Sequence, residues 1–463
     1  MEDIDIGYYT FNNLHDNDFY KDMCKFCSSE SVESFNKEIE HGLIVAKEKL
    51  EERLCSLKIE LDYQNDKAKF IYSSWLCWRE EKHVSDSIRQ IDDRIKNKIT
   101  KIYFVAKEST NKRELDCNLR YNVFFSLEKF KNIKEIYFDK NCNYFELIDL
   151  SKLEKIFIDS EMIGEISLYI KRCSELKDLI IPEGIEQINQ LWVTECRSLK
   201  IVSLPTKCTF KGFGTFTFDD CESLTFLDLP SNIEELPRFK NCKSLKEIKI
   251  PSSVKEILRG AFAHCESLKN IVLPQSITHI EENTFYGCSK LETINLPKNI
   301  KVIEKSAFAC CESLKNISFP NSLEHIGESA FSGCINLESI IFPEKITSID
   351  NYAFRNCDML KSVLFPKNTK DILSGGVFSN CSNLQEIEIP EGERYIRANL
   401  FENCINLKTI KLPDSIEGIM NDAFKNCKNL ININYPKSLT QIYPHAFDGC
   451  SKQIKKIFQI IKK

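Results

Sequence analysis

No run of about 18 or more apolar residues occurs in this 463-residue chain, so no transmembrane helix is expected. Glycine and proline are scarce, at 15 and 14 residues, which excludes a collagen-like or low-complexity chain. No glycine-rich phosphate loop, nucleophile elbow or kinase signature is present, so no catalytic residues and no cofactor are expected. The seven histidines are scattered. Cys24 and Cys27 form one metal-type pair without a second, and Cys55, Cys77, His15, His41 and His83 lack zinc-finger spacing, so no metal site is expected. The first ten residues carry three acids and no base, which is not the start of a secretory leader, and the terminal Phe-Gln-Ile-Ile-Lys-Lys is not a prenylation box. A net charge of −5 gives no drive toward nucleic acid or acidic membranes.

The few prolines are placed by rule. Twelve of the fourteen stand nine residues after a cysteine, from Pro182 to Pro436. A leucine stands three residues after each of the same cysteines, from Leu176 to Leu430. The cysteine ladder itself runs from Cys173 to Cys450, with nine of its twelve intervals equal to 23 residues and the others 25, 21 and 24. Three ladders in phase make a solenoid, in which each turn packs on its neighbours.

Each position in the period has a physical reason. Apolar residues three, six and eight after the cysteine face inward; Ile271 and Leu273 alternate with Asn270 and Val272, the period of a short strand. Proline lacks the N–H that a ladder needs and ends the strand. A Ser-Ile-x-x-Ile step follows, as in Ser276, Ile277 and Ile280, and makes a second inward contact. A phenylalanine then precedes the next cysteine, from Phe262 to Phe447, and stacks turn on turn. Thirteen of the 21 cysteines are therefore packing positions, expected as reduced thiols, and such a chain suits a reducing compartment, here the cytoplasm.

The Cys-x-x-Leu-x-x-Ile-x-Leu-Pro run, the Ser-Ile-x-x-Ile step and the Ala-Phe before the next cysteine resemble the BspA-like class of leucine-rich repeats, found in bacterial and protist surface proteins. The resemblance covers 173–450 strongly and 99–172 weakly. It implies a leucine-rich-repeat fold, adhesion or host-protein binding, and a cell-surface location.

The expected architecture is an α/β repeat solenoid: a right-handed superhelix of the leucine-rich-repeat type with one short parallel strand per turn. Residues 1–30 read as a loosely ordered acidic arm. Residues 31–98 read as a helical hairpin, with Val32, Phe35, Ile39 and Leu43 on one face of the first helix, a break at Tyr63–Asp66, and Trp75, Trp78 and Ile88 on the second. The hairpin caps the solenoid or serves as a dimerisation or partner surface. Residues 99–172 are degenerate entry turns, in which Leu150 takes the cysteine position. Residues 451–463 form a short capping helix striped by Ile454, Ile457, Phe458 and Ile461. The 25- and 21-residue intervals mark one seam and the 24-residue interval another, where Thr369 and Glu393 fall in an apolar position.

Binding is the function this pattern allows. Residues five and seven after each cysteine point outward, and the candidate ligand-binding positions are Asn270, Val272, Thr293, Asn295, Asn316, Ser318, Ser339 and Ile341. Lysines four after the cysteine, as at Lys269, Lys315 and Lys361, form a charged rim. The reading is a non-enzymatic scaffold that engages a protein partner, with a surface adhesin and an adaptor docked through its N-terminal helices as rivals.

Overall fold

The computed structural model describes residues 100–107, 127, 130–140, 142–211, 216–367, 369–452 and 454, together with four strands nearer the N-terminus. The chain divides into two units, Met1–Pro230 and Ser231–Lys463. Both are stacks of parallel-strand coils, a β-solenoid of the leucine-rich-repeat kind.

In the first unit one strand from each coil joins a ten-stranded sheet. From Lys67–Ser73 onward, through Lys101–Lys107, Glu135–Phe138 and Lys155–Ile158, its pairs are parallel and in register. A second sheet is built from Tyr144–Ile148, Gly164–Lys171 and Ile185–Thr194, with Thr209–Phe210 and Phe216–Thr217 at its end. From Glu135 onward the coils of this unit thus contribute two strands, not the one expected, because the segment after the first strand also pairs with its neighbours.

The helical hairpin is overturned where residues 31–98 are described. Ile44–Leu50, Cys55–Asp62 and Lys67–Ser73 are strands, the first two antiparallel to each other and the last two likewise. The reason lies in the period. Leu57, Ile59 and Leu61 alternate with Lys58 and Glu60, and Ala68, Phe70 and Tyr72 with Lys69 and Ile71, which is a strand pattern. The three- and four-residue steps through Leu50, Leu54 and Leu57 compete with that alternation and lose. Tyr63–Asp66, read as a break, connects two strands whose ends pair as Asp62 with Lys67. Residues 74–99 lie outside the described residues. Ile4–Ile6, inside the expected arm, is a strand parallel to Ile44–Leu50. The described elements are accordingly all strands. Ile454 is buried, and residues 455–463 lie outside the described residues.

The second unit repeats one coil: a strand at Asn270–Val272, a turn after Pro274, a two-residue strand at His279–Ile280, and a run of turns back to Cys288. The phenylalanine ladder stacks as expected. Phe285, Phe308 and Phe331 are fully buried, with centroids 5.1 Å apart and planes within 13°. Phe239 extends the ladder one coil earlier.

The cysteine does more than fill space. The Phe285 carbonyl accepts the Cys288 amide at 3.1 Å and the thiol of Cys311, one coil on, at 3.2 Å. Phe262 and Phe308 do the same with Cys288 and Cys334. Both lone pairs of each carbonyl are used, one within its coil and one between coils. A methyl or isopropyl group would fill the space and leave the carbonyl without its second donor, which favours cysteine. Within the first unit Cys196 and Cys221 make the same kind of bond to Ile170 and Val193.

The backbone explains the residue before each cysteine. Asn241, His264, Cys310, Asn356, Asn380, Asn403 and Asn426 all lie at φ between 59° and 61°, and Gly287, Gly333 and Gly449 hold the same position. This left-handed turn favours asparagine and glycine. In the first unit Asp149 occupies it directly before Leu150, at φ 61°, which places Leu150 in the cysteine position.

The sixteen cysteines with described side chains are all reduced. Burial pushes Cys288 up to about 12, and Cys311 and Cys334 well above the ordinary thiol range. Cys310 is exposed and raised as well. Thiolate is the reactive form, so alkylation of the native protein at pH 8 is expected to mark Cys310 and spare Cys288, Cys311 and Cys334. Peptide mapping before and after denaturation checks this; labelling of Cys311 in the native state would contradict the buried ladder.

Candidate binding face

The inward positions of the strand row are invariably apolar and buried: Ile271, Ile294, Ile317 and Ile340 are no more than 8% exposed. Alternation then forces residues on either side outward. Asn270, Thr293, Asn295, Asn316 and Ser318 are exposed, Ser339 is half-buried, and Val272 and Ile341 are 71% and 64% exposed. Leu364 continues the row at 59%.

The structure brings these residues together in pairs of coils. Asn270–Val272 lies beside Thr293–Asn295 in register, and Ser339–Ile341 beside Ser362–Leu364. Asn316 reaches Ser339 through a single bridge. The Thr293 hydroxyl donates to Asn270 Oδ1 at 2.7 Å. The strip from Asn270 to Leu364 carries no charge in its two outward rows, and charge enters at Glu386 and Glu388, the latter paired to Lys411. The lysine rim is balanced by acids of adjacent coils: Lys269 lies 4.0 Å from Glu292, and Lys361 3.0 Å from Glu338. Exposed pairs of this kind contribute little stability and leave the rim near neutral.

Two groupings escaped the sequence reading. In the first unit Tyr103, Tyr137 and Phe157 stack in register on the outward side, at 4.3 and 4.4 Å between centroids. Their signal was present, because each follows an inward isoleucine (Ile102, Ile136, Ile156) by one residue. The second grouping is a trio in the post-proline row. The His325 Nδ1 lies 2.6 Å from the Ser348 hydroxyl, and its Nε2 lies 3.6 Å from Asp350 Oδ2. This is the order of a nucleophilic relay. The nearby amides are already committed, however: Ser348 to Glu324, Ile349 to Ile372 and Asp350 to Ile326. They cannot also stabilise an oxyanion. Among the described residues no group of three or more His, Cys, Asp or Glu is placed to hold a metal ion, and no helix is long and apolar enough to cross a membrane. Cys24 and Cys27 lie outside the described residues.

Against known families, the model of the BspA type leucine-rich repeat region matches residues 147–269, 237–361 and 324–455, well over half of the chain. The chain belongs to the BspA-type leucine-rich-repeat family. Its match begins before Cys173, so the coil built on Leu150 is part of the family pattern. A solved leucine-rich repeat protein from Bacteroides ovatus is 30% identical, with a TM-score of 0.54 over 64% of this chain and 84% of that one. A leucine-rich cell surface protein from Faecalibacterium prausnitzii is 20% identical, with a TM-score of 0.32, covering 85% of this chain and 96% of that one. The pneumococcal vaccine antigen PcpA is 15% identical, with a TM-score of 0.41, covering 90% and 96%. No curated protein matches.

Proposed function

We propose that this BspA-type protein is a non-enzymatic scaffold that binds a protein partner across the outward strand rows of its second unit. The observation that carries the reading is the contrast between the two sides of each strand. Inward positions repeat one apolar chemistry, whereas outward positions change from coil to coil: Asn270 with Val272, Thr293 with Asn295, Asn316 with Ser318, Ser339 with Ile341. Stability accounts for the inward residues and asks nothing of the outward ones. An uncharged strip with exposed aliphatics at Val272, Ile341 and Leu364 is suited to a partner that supplies apolar side chains and backbone hydrogen-bonding groups, as in the core of a protein interface. Affinity would be gathered from many small contacts, one or two per coil.

The test is a paired substitution. With the partner captured by proximity labelling or pull-down on the intact protein, Asn295→Arg with Ser318→Arg is expected to weaken binding by about tenfold or more, since it forces two charges into an uncharged interface. Thermal stability should hardly move, because both side chains are exposed. Unchanged affinity would remove this face from consideration.

For compartment we favour a reducing one, the cytoplasm. The support is chemical: the buried thiols act as donors in their S–H form, and oxidation would remove those donors. The rival, a surface adhesin, follows from the family. Antibody staining of unpermeabilised cells separates them, since a purely internal signal excludes adhesion. The adaptor reading needs co-purification of an enzyme that is lost when residues 1–95 are deleted.

A further inference from the structure

The coils that begin at Cys357 and Cys381 meet across the 24-residue interval. Along the back of this junction the backbone ladder is continuous: the amides of Gly376, Phe378 and Asn380 donate to Ala398, Leu400 and Glu402. At the front neither strand row pairs across. Ser362–Leu364 pairs only backward, Glu386–Glu388 only forward, and Tyr395–Ile396 pairs with Gly418–Ile419. A side chain spans the gap instead. Glu393 stands where Ile346 and Ile416 stand in other coils, and it is fully buried. Its Oε1 accepts the amides of Ile372 and Leu373 at 2.6 and 3.2 Å. Its Oε2 is buried and without a hydrogen-bond partner.

We propose that Glu393 is a proton-operated clasp that closes the front of this junction when protonated and releases it when ionised, while the back ladder stays bonded. A buried carboxylate with one oxygen unsatisfied costs far more than the neutral acid in the same place. Burial pushes the group up from 4.5 to about 7; Asp371 in the preceding coil adds to the rise, and the two amides and Arg397 oppose it. Arg397 is itself engaged with Asp371 at 3.1 Å, and the Ser415 hydroxyl of the following coil accepts the Gly392 amide and donates to the Glu393 backbone carbonyl, leaving the carboxyl untouched. The sign follows. The native state holds its proton more tightly than the unfolded chain, so the contribution of Glu393 is full below about 4.5 and is lost as pH rises to about 7. The clasp joins the coil whose outward strand row ends at Leu364 to the coil whose charged row begins at Glu386, through Ile372 and Leu373.

Hydrogen exchange of the full chain tests it, at pH 5.5 and pH 8, corrected for the intrinsic pH dependence of exchange. Protection of the Ile372 and Leu373 amides is expected to fall by about tenfold or more on going to pH 8, relative to the back-ladder amide of Gly376 and to the coil at 311–333. Glu393→Gln keeps the acceptor and cannot ionise, so its protection should stay level across the same range. Asp371→Asn should move the transition to lower pH without abolishing it. Equal protection of the wild type at both pH values would overturn the clasp even if the glutamine variant failed to fold, and so would a glutamine variant that kept the full pH response.

Discussion

Phe308→Ala is expected to cost about 3–5 kcal/mol, the range for a large ring removed from a core. The ring is fully buried between Phe285 and Phe331, each 5.1 Å away, so neither coil can close over the space it leaves. The loss should be local before it is global, because a solenoid couples each coil mainly to its neighbours. Hydrogen exchange should therefore show the largest loss of protection in residues 285–331, along with a lower denaturation midpoint. Phe308→Leu separates area from stacking. It keeps most of the apolar surface and gives up the ring contacts, about 0.5–1.5 kcal/mol for such pairs. A leucine variant as unstable as the alanine variant would mean that the ladder is held by ring geometry rather than by burial.

Gly392→Ala is expected to be the next most damaging small change, at about 2–5 kcal/mol from left-handed strain and overpacking together. Gly392 lies at φ 94°, and a Cβ there would stand 2.1 Å from the Thr369 carbonyl oxygen, a backbone atom that cannot turn aside. Gly164 supplies the control. It has nearly the same φ, 89°, with nothing within 4 Å of a Cβ. Gly164→Ala should therefore show the conformational part alone, about 1–2 kcal/mol. Chemical denaturation of the two variants measures the difference; equal losses would show that the approach to Thr369 is not tight.

How much of this could be read in advance depended on whether a residue's job was repeated. Leu268, Pro274, Ile277 and Phe285 recur at fixed offsets, and their inward or strand-ending roles follow from spacing alone. The outward placement of Asn270, Thr293, Asn295 and Asn316 follows too, because a strand next to a buried isoleucine has only one other side. Residues 44–73 were misread because Leu50, Leu54 and Leu57 satisfy a helical period while Leu57, Ile59 and Leu61 satisfy a strand period. Sequence cannot rank the two when pairing partners decide, and the partners are other strands of the same sheet. The entry turns at Ile102, Ile136 and Ile156 align by their alternation, but the stacking of Tyr103, Tyr137 and Phe157 follows only once those strands are seen to pair in register.

The sequence by itself determined the coil: its length, its inward residues, its turn after proline, and the solenoid that follows from repeating them. Periodicity is a local property, and local chemistry suffices to state it. Only the tertiary structure decided what lies between coils. It showed that Cys311 donates to Phe285 as well as packing, that the residue before each cysteine turns left-handed, and that two strand rows rather than one join the stack. It also showed that Glu393, out of place in an apolar position, reaches back to the amides of Ile372 and Leu373. The bonds of Cys311 and Glu393 span 20 to 26 residues, and their existence depends on how one coil settles on the next.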